Sequence, residues 1–222
     1  MLAVFCWGSY AAPLANAVGF WNIVSLIMLT SLIIGPSLTF LVYKSKKKSL
    51  KFDLICIFIL QIITLLYGAY TLYIARPVWI VHSVDRFELV RNTDLYDQDS
   101  IPKNKKFEFT PKFSVKFVGV ELSKNPVQRQ EDLSRAMFAK LTLSMQPSRY
   151  ILYQNVQKIA LKNAHNLKEL FDYNAHIDVT DILEKNPESF AYIPLKASHK
   201  DMSVLIDKNG NVIRIVNLRP WN

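Results

Sequence analysis

Ala75-Arg-Pro-Val-Trp-Ile-Val-His-Ser-Val-Asp-Arg-Phe-Glu-Leu-Val90 divides the 222-residue chain into two unlike parts. Upstream, residues 1–75 carry five Lys, no Arg and one acid, Asp53. Downstream, residues 76–222 carry 22 basic and 17 acidic residues, the mixed composition of a soluble domain large enough to bury a core. The change falls at Arg76-Pro77 with no Gly/Ser-rich linker between. A membrane helix is therefore expected to feed directly into the first strand of a folded domain, with Arg76 snorkelling at the headgroups and Pro77 stopping the helix.

Residues 20–43 hold no formal charge, and at 1.5 Å rise per residue they span roughly 36 Å, enough to cross a bilayer. Residues 52–74 form a second apolar stretch long enough to cross, with Asp53 at its very start. The intervening segment 44–51 carries five lysines, and the positive-inside rule assigns it to the cytoplasm. The N-terminus and residues 76–222 then lie on the far side, with Trp21, Tyr67, Tyr70 and Tyr73 as interfacial anchors. Gly35-Pro36 kinks the first span. Ser25, Thr30, Ser31, Ser37 and Thr39 on one span, with Gln61, Thr64, Gly68 and Ala69 on the other, suit close helix packing in lipid. They join the two helices to each other or form a groove for a partner's membrane helix. No acid or base sits mid-span, which argues against a proton or ion path. Residues 1–17 are apolar but lack the basic start of a signal peptide, and are expected to be the tail of an earlier span, a remnant of a third helix.

Val78, Ile80 and Val84 share one parity, Phe87 and Leu89 the other, so a bulge or bend is expected at Asp85-Arg86. Residues 92–106 read as a polar loop. Phe107, Phe109, Phe113, Val115 and Phe117 alternate with polar residues, the pattern of a strand, and Pro111 argues for an edge position or a break into two strands. Asn125-Pro126 signals a helix start, and Leu133, Met137, Phe138, Leu141 and Met145 predict an inward face that closes at Pro147. A second helix is expected over 153–164, with Val156, Ile159 and Ala160 inward, and a short one over 180–185. Strands are expected at 190–195, 202–206 and 212–217, the last two joined by a hairpin with Gly210 at positive φ. Together these give a membrane-anchored α+β fold with a mostly antiparallel sheet and two to three helices.

Chemistry is thinly represented. Cys6 and Cys56 both lie outside residues 76–222, so that domain has no disulfide. The net charge of +9 is densest in the loop between the spans, where topology accounts for it, so no nucleic-acid partner is expected. Asp94, Asp97 and Asp99 lack the spacing of a calcium loop. Gly119 and Gly210, the only glycines in 76–222, cannot build a phosphate-cradling loop. His82, Ser83 and Asp85 are strand neighbours that cannot assemble a triad, and His165, His176 and His199 are scattered. No catalytic residue, cofactor or metal is expected; the chain reads as a non-enzyme.

Gly35-Pro36-x-Leu38-Thr39-Phe40, the turn from Lys46 to Leu54, Gln61 with Leu66-Tyr67-Gly68 and Thr71-Leu72, then Ala75-Arg-Pro-Val78 and Val84-Asp-Arg-Phe87, follow in order. Tyr192-Ile-Pro-Leu195 and Leu218-Arg-Pro-Trp221 complete the set. Together these resemble the type IV pilin accessory proteins of the TfpX/TfpZ group. Members of that group tend to carry a basic start, a full first membrane helix and an acid shortly before the Gly-Pro, where this chain has Thr30-Ser31. The resemblance implies a bacterial inner-membrane protein with a periplasmic domain, assisting a cognate type IV pilin through contacts with pilin and bilayer. Candidate contact or coupling residues are Gly35, Pro36, Gly68, Arg76, Pro77, Asp85, Arg86 and Phe87. The alternative is a membrane-anchored envelope sensor, or a subunit of another membrane assembly.

Overall fold

Two long helices precede the sheet. The computed structural model describes residues 10–43, 49–96, 107, 109–112, 114–123 and 125–221. Helix α1 (Phe20–Val42) and helix α2 (Leu50–Ile74) match the two expected spans and are long and apolar enough to cross a membrane. Their apolar side chains are largely exposed rather than buried in the chain. Gly35 meets Gln61 and Gly68 meets Ile27, so the helices run antiparallel and both Phe20 and Ile74 lie next to the sheet. The lysines of the connecting segment, apart from Lys51, lie outside the described residues, as do Cys6, Asp97, Asp99 and Phe113.

From Ile74 the chain enters β1 (Pro77–Ser83), turns into β2 (Arg86–Arg91), and continues through β3 (Lys116–Val120), helix α3 (Pro126–Phe138) and β4 (Tyr150–Leu152). Helix α4 (Tyr153–Lys162), β5 (His165–Asn166), helix α5 (His176–Glu184), β6 (Ala191–Lys196), β7 (Met202–Ile206) and β8 (Val212–Val216) complete it. The sheet order is β4-β3-β1-β2-β6-β7-β8, with β5 beside β6. The β1–β3 and β2–β6 pairs are parallel and the rest antiparallel, so the sheet is mostly antiparallel. The tip of the β1–β2 hairpin lies at the end of the sheet away from the long helices.

One face of the sheet carries Ile80, Phe87, Leu89, Ile193, Leu195, Met202, Val204 and Ile206. It is covered by Ala160 of α4 and by Tyr10, Leu14, Ala15, Ala17 and Val18. The segment ahead of α1 thus forms part of this core. It is held by Tyr10, whose hydroxyl donates to the Leu72 carbonyl (2.8 Å), and by Ala17, whose carbonyl accepts from the amides of His199 (3.0 Å) and Lys200 (3.1 Å). The opposite face buries Trp79, Val81, Val118 and Tyr150 at one end, and Leu170, Val179, Tyr192 and Leu205 at the other.

Four expectations are corrected. The parity change after Val84 is a reversal of direction rather than a bulge. Ser83 pairs with Arg86, and His82 with Phe87, so two antiparallel strands present opposite parities to one face. Of the expected strand over 107–117, only Lys116–Val120 extends the sheet, and it lies inside, between β4 and β1. Phe107 caps the core but Phe109 is 77% exposed. Helix α3 starts as expected, with Asn125 Oδ1 accepting from the Val127 amide (3.0 Å), but it ends at Phe138. Its Leu133, Met137 and Phe138 face outward. Ile159 of α4 is likewise exposed, while Val156 and Ala160 are inward. Gly210 takes positive φ in the β7–β8 turn as expected, where Asp207 Oδ1 accepts from the amides of Asn209 (2.8 Å) and Asn211 (2.7 Å).

Candidate functional site

The candidate residues fall into three places: the junction of α2 with β1, the tip of the β1–β2 hairpin, and the contact between α1 and α2. At the junction, Arg76 turns inward instead of snorkelling and is only 5% exposed. Its Nη1 donates to the Tyr73 carbonyl (2.9 Å), its Nη2 to the Pro111 carbonyl (3.3 Å), and its guanidinium stacks on the Tyr73 ring at 4.3 Å. A cation here is compensated by the negative end of the helix dipole and by the ring face. The Nε has no partner among the described residues. The Arg76 carbonyl accepts from the Asn92 amide (2.9 Å), and Pro77, which has no N–H to offer the ladder, opens the strand opposite Arg91. A long helix, a strand and the Pro111 segment are thereby fastened at one residue.

At the hairpin tip, Val84 has φ 57° and is 56% exposed, and the Asp85 amide donates back to the Ser83 carbonyl (2.8 Å). Positive φ is unfavourable for a β-branched residue. Asn163 Nδ2 holds the turn by donating to the Val84 carbonyl (2.9 Å). Arg86 donates to Asp85 through Nε (3.0 Å) and lies 5.7 Å over Trp221, whose Nε1 donates to Asp201 (2.9 Å). This exposed pair contributes little to stability and remains accessible. Phe87 does not: it is fully buried, edge-on to Phe117 (5.5 Å) and His82 (5.3 Å), and belongs to the core rather than to a surface.

His82 faces the same core. Burial, opposed by the nearby Asp85 carboxylate, pushes its pKa down to about 4, and its Nε2 has no partner among the described residues. The ring is neutral at neutral pH and points into the core while Asp85 sits at the exposed turn, so the neighbouring triad letters do not converge. Behind Val81, Glu88 accepts from Thr142 (3.2 Å) and from buried Ser144, whose carbonyl accepts from Tyr150. Burial, reinforced by Glu88, raises the Tyr150 hydroxyl far above its ordinary range. These groups satisfy one another and hold residues 142–150 on the sheet.

Between the helices, a Cβ on Gly35 would fall on Gln61 Nε2, and one on Gly68 would approach Ile27 Cδ1 to 3.0 Å. Both glycines therefore serve the contact between α1 and α2. Pro36 lies beside it, exposed on an open cleft lined by Gly35, Thr39, Phe40, Tyr43 and Gln61.

No family model and no solved structure matches the chain. Among curated proteins, the fimbrial assembly protein of Dichelobacter nodosus serogroup I is 28% identical over 227 residues, covering 98% of this chain and 87% of the relative. The serogroup E1 protein matches with the same identity and coverage. The protein of serogroups C1 and C2 is 30% identical over 104 residues, 46% of this chain and 77% of that relative. The chain belongs to the fimbrial assembly protein family. With 98% of the chain aligned to two fimbrial assembly proteins, the similarity runs through both apolar helices and the sheet.

Three residues of this family member's candidate site were not singled out in the sequence: Tyr10, Asn92 and Asn163. Tyr10 and Asn163 act on residues remote in the chain, and Asn92 closes back on Arg76 across a hairpin.

Proposed function

We propose that this chain is a bacterial inner-membrane accessory protein that assists a cognate type IV pilin, as the TfpX/TfpZ group does, through non-catalytic contacts. In this reading α1 and α2 cross the bilayer as a hairpin. The lysine-rich connection lies in the cytoplasm, and the sheet, with residues 10–18 packed on it, lies in the periplasm. The carrying observation is similarity to fimbrial assembly proteins along nearly the whole chain, anchor and domain alike. Two further features support it. Both long helices leave their apolar surfaces uncovered, as lipid-facing helices do. The ends of the hairpin also return to one side, where residues 10–18 and the sheet share a core.

The test is deletion and complementation in the native host, scoring surface pili and twitching. Loss of both, restored by the wild-type gene, is expected. Full piliation in the deletion strain would reject the reading and favour an envelope sensor or a subunit of another assembly. Periplasmic and cytoplasmic reporters fused at residues 46 and 222 test the orientation separately.

A further inference from the structure

The Ser and Thr side chains of α1 and α2 are self-sufficient. Ser25, Thr30, Ser31, Ser37, Thr39, Thr64 and Thr71 each donate to a carbonyl three or four residues back on their own helix. Such back-bonding is how hydroxyls are tolerated in lipid. Gln61 is the exception: its side-chain amide has no hydrogen-bond partner among the described residues. It lies at the middle of α2, with 11 residues before it and 13 after, so about 16–20 Å of helix lies to either side. In a hydrocarbon core about 30 Å thick that is the midplane. Its Nε2 lies over Gly35, in the cleft that Pro36, Thr39, Phe40 and Tyr43 line on α1. Pro36 adds a second unmet group, because it has no N–H to offer the Leu32 carbonyl.

Lipid tails have no donors or acceptors, and water is scarce at the midplane. A hydrogen-bonding group on another transmembrane helix is the remaining source of a partner. From this we infer that the Gly35–Gln61 cleft receives the membrane helix of a different protein, one that carries a Ser, Thr, Asn or Gln near mid-span to pair with the Gln61 amide. A second copy of this chain is a poorer fit, because each Gln61 is recessed between its own α1 and α2 and two such residues cannot meet across a two-fold axis. The inference rests on the proposed membrane-spanning hairpin and adds where, and through which atoms, a partner docks.

The test uses the full chain in phospholipid vesicles, with a photoreactive benzoylphenylalanine in place of exposed Phe40. The probes are two synthetic Leu/Ala transmembrane helices, one with a central Asn and one with a central Leu. Interhelical hydrogen bonds of this kind predict about 3- to 15-fold stronger capture of the Asn helix. Gln61→Leu is expected to abolish that preference while leaving capture of the all-apolar helix unchanged. Equal capture of both probes by the wild-type chain overturns the inference, as does a preference that survives Gln61→Leu. A predominant adduct of two copies of this chain overturns the choice of occupant. Failure of the underlying reading is distinguished by Ile59→Cys in a cysteine-free background. Labelling there by a membrane-impermeant maleimide means the hairpin is not inserted, and protection means that it is.

Discussion

Val84 offers a test of the hairpin that separates backbone from side chain. Its φ of 57° lies in the left-handed region, which costs a residue with a Cβ roughly 1–2 kcal/mol. Replacement by Ala or by Gly removes nearly the same contacts, because the Val side chain is more than half exposed. Only Gly also removes the left-handed cost, at an expense of about 0.4–1 kcal/mol through its freer unfolded chain. Val84→Gly is therefore expected to be more stable than Val84→Ala by about 0.5–1 kcal/mol. The same pair of residues compared at Ala136, in the last turn of α3, reverses sign: Ala136→Gly should lose up to about 1 kcal/mol. The assay is urea unfolding of the full chain in detergent micelles, followed by tryptophan fluorescence. With a slope near 2 kcal/mol per molar urea, the two Val84 variants should differ in midpoint by about 0.3–0.5 M. A Val84→Gly variant no more stable than Val84→Ala would refute the turn geometry, and with it the claim that the chain reverses at residues 84–85.

His82 makes stability depend on pH. Its pKa is depressed in the folded state, to about 4 from the ordinary 6.5, so the neutral ring stabilises the fold fully above pH 6.5. That contribution, about 3 kcal/mol at most, is lost as pH falls toward 4, and urea midpoints of the wild type should fall more steeply over that range than those of His82→Phe. Gly119→Ala should destabilise by about 1–3 kcal/mol, since the added Cβ would fall on Val156 Cγ2 and lie 2.9 Å from Cγ1; Val156→Ala in the same chain should recover part of the loss in the same assay. Arg76→Lys should behave like Arg76→Met in thermal melts, both losing about 1–3 kcal/mol, because one ammonium cannot serve the Tyr73 and Pro111 carbonyls together and cannot stack as a plane. A ten-residue Gly/Ser insert between Pro77 and Val78 should reduce piliation in complementation without lowering protein level; full piliation would show that the junction transmits nothing.

The elements legible in the sequence were those whose signals are local. Two apolar stretches longer than a bilayer is thick, the Asn125-Pro126 cap, and Gly210 between two apolar runs all led to the right elements. The β1–β2 reversal was not legible, because Val84-Asp85 contains no glycine or asparagine to mark a turn with positive φ. The alternating phenylalanines misled for a related reason: periodicity reports which side chains suit a sheet face, but Pro111 and the Arg76 contact place that stretch at the margin, and only Lys116–Val120 pairs. The outward face of α3 follows from tethering rather than amphipathicity. The partly buried ion pair of Asp132 with Arg149, at 2.5 Å, holds the helix by its polar side. At the candidate site, Gly68 was readable as a packing position, whereas Gly35 read only as part of a kink and the inward turn of Arg76 depends on Pro111, 35 residues away.

Residues 10–18 give the core a bearing on how the protein is made. They leave the ribosome before either long helix, yet the residues they cover, among them Ile193, Met202 and Val204, emerge last. Closure of the sheet therefore waits on synthesis of almost the whole chain, and it requires both ends of the helical hairpin to be in one compartment. On the membrane reading, a molecule in which only one helix inserts would strand this segment across the bilayer from its seat. Its unsealed apolar face would then invite degradation. On that reading, completion of the core depends on both helices having inserted, which ties folding of the domain to the topology of its anchor.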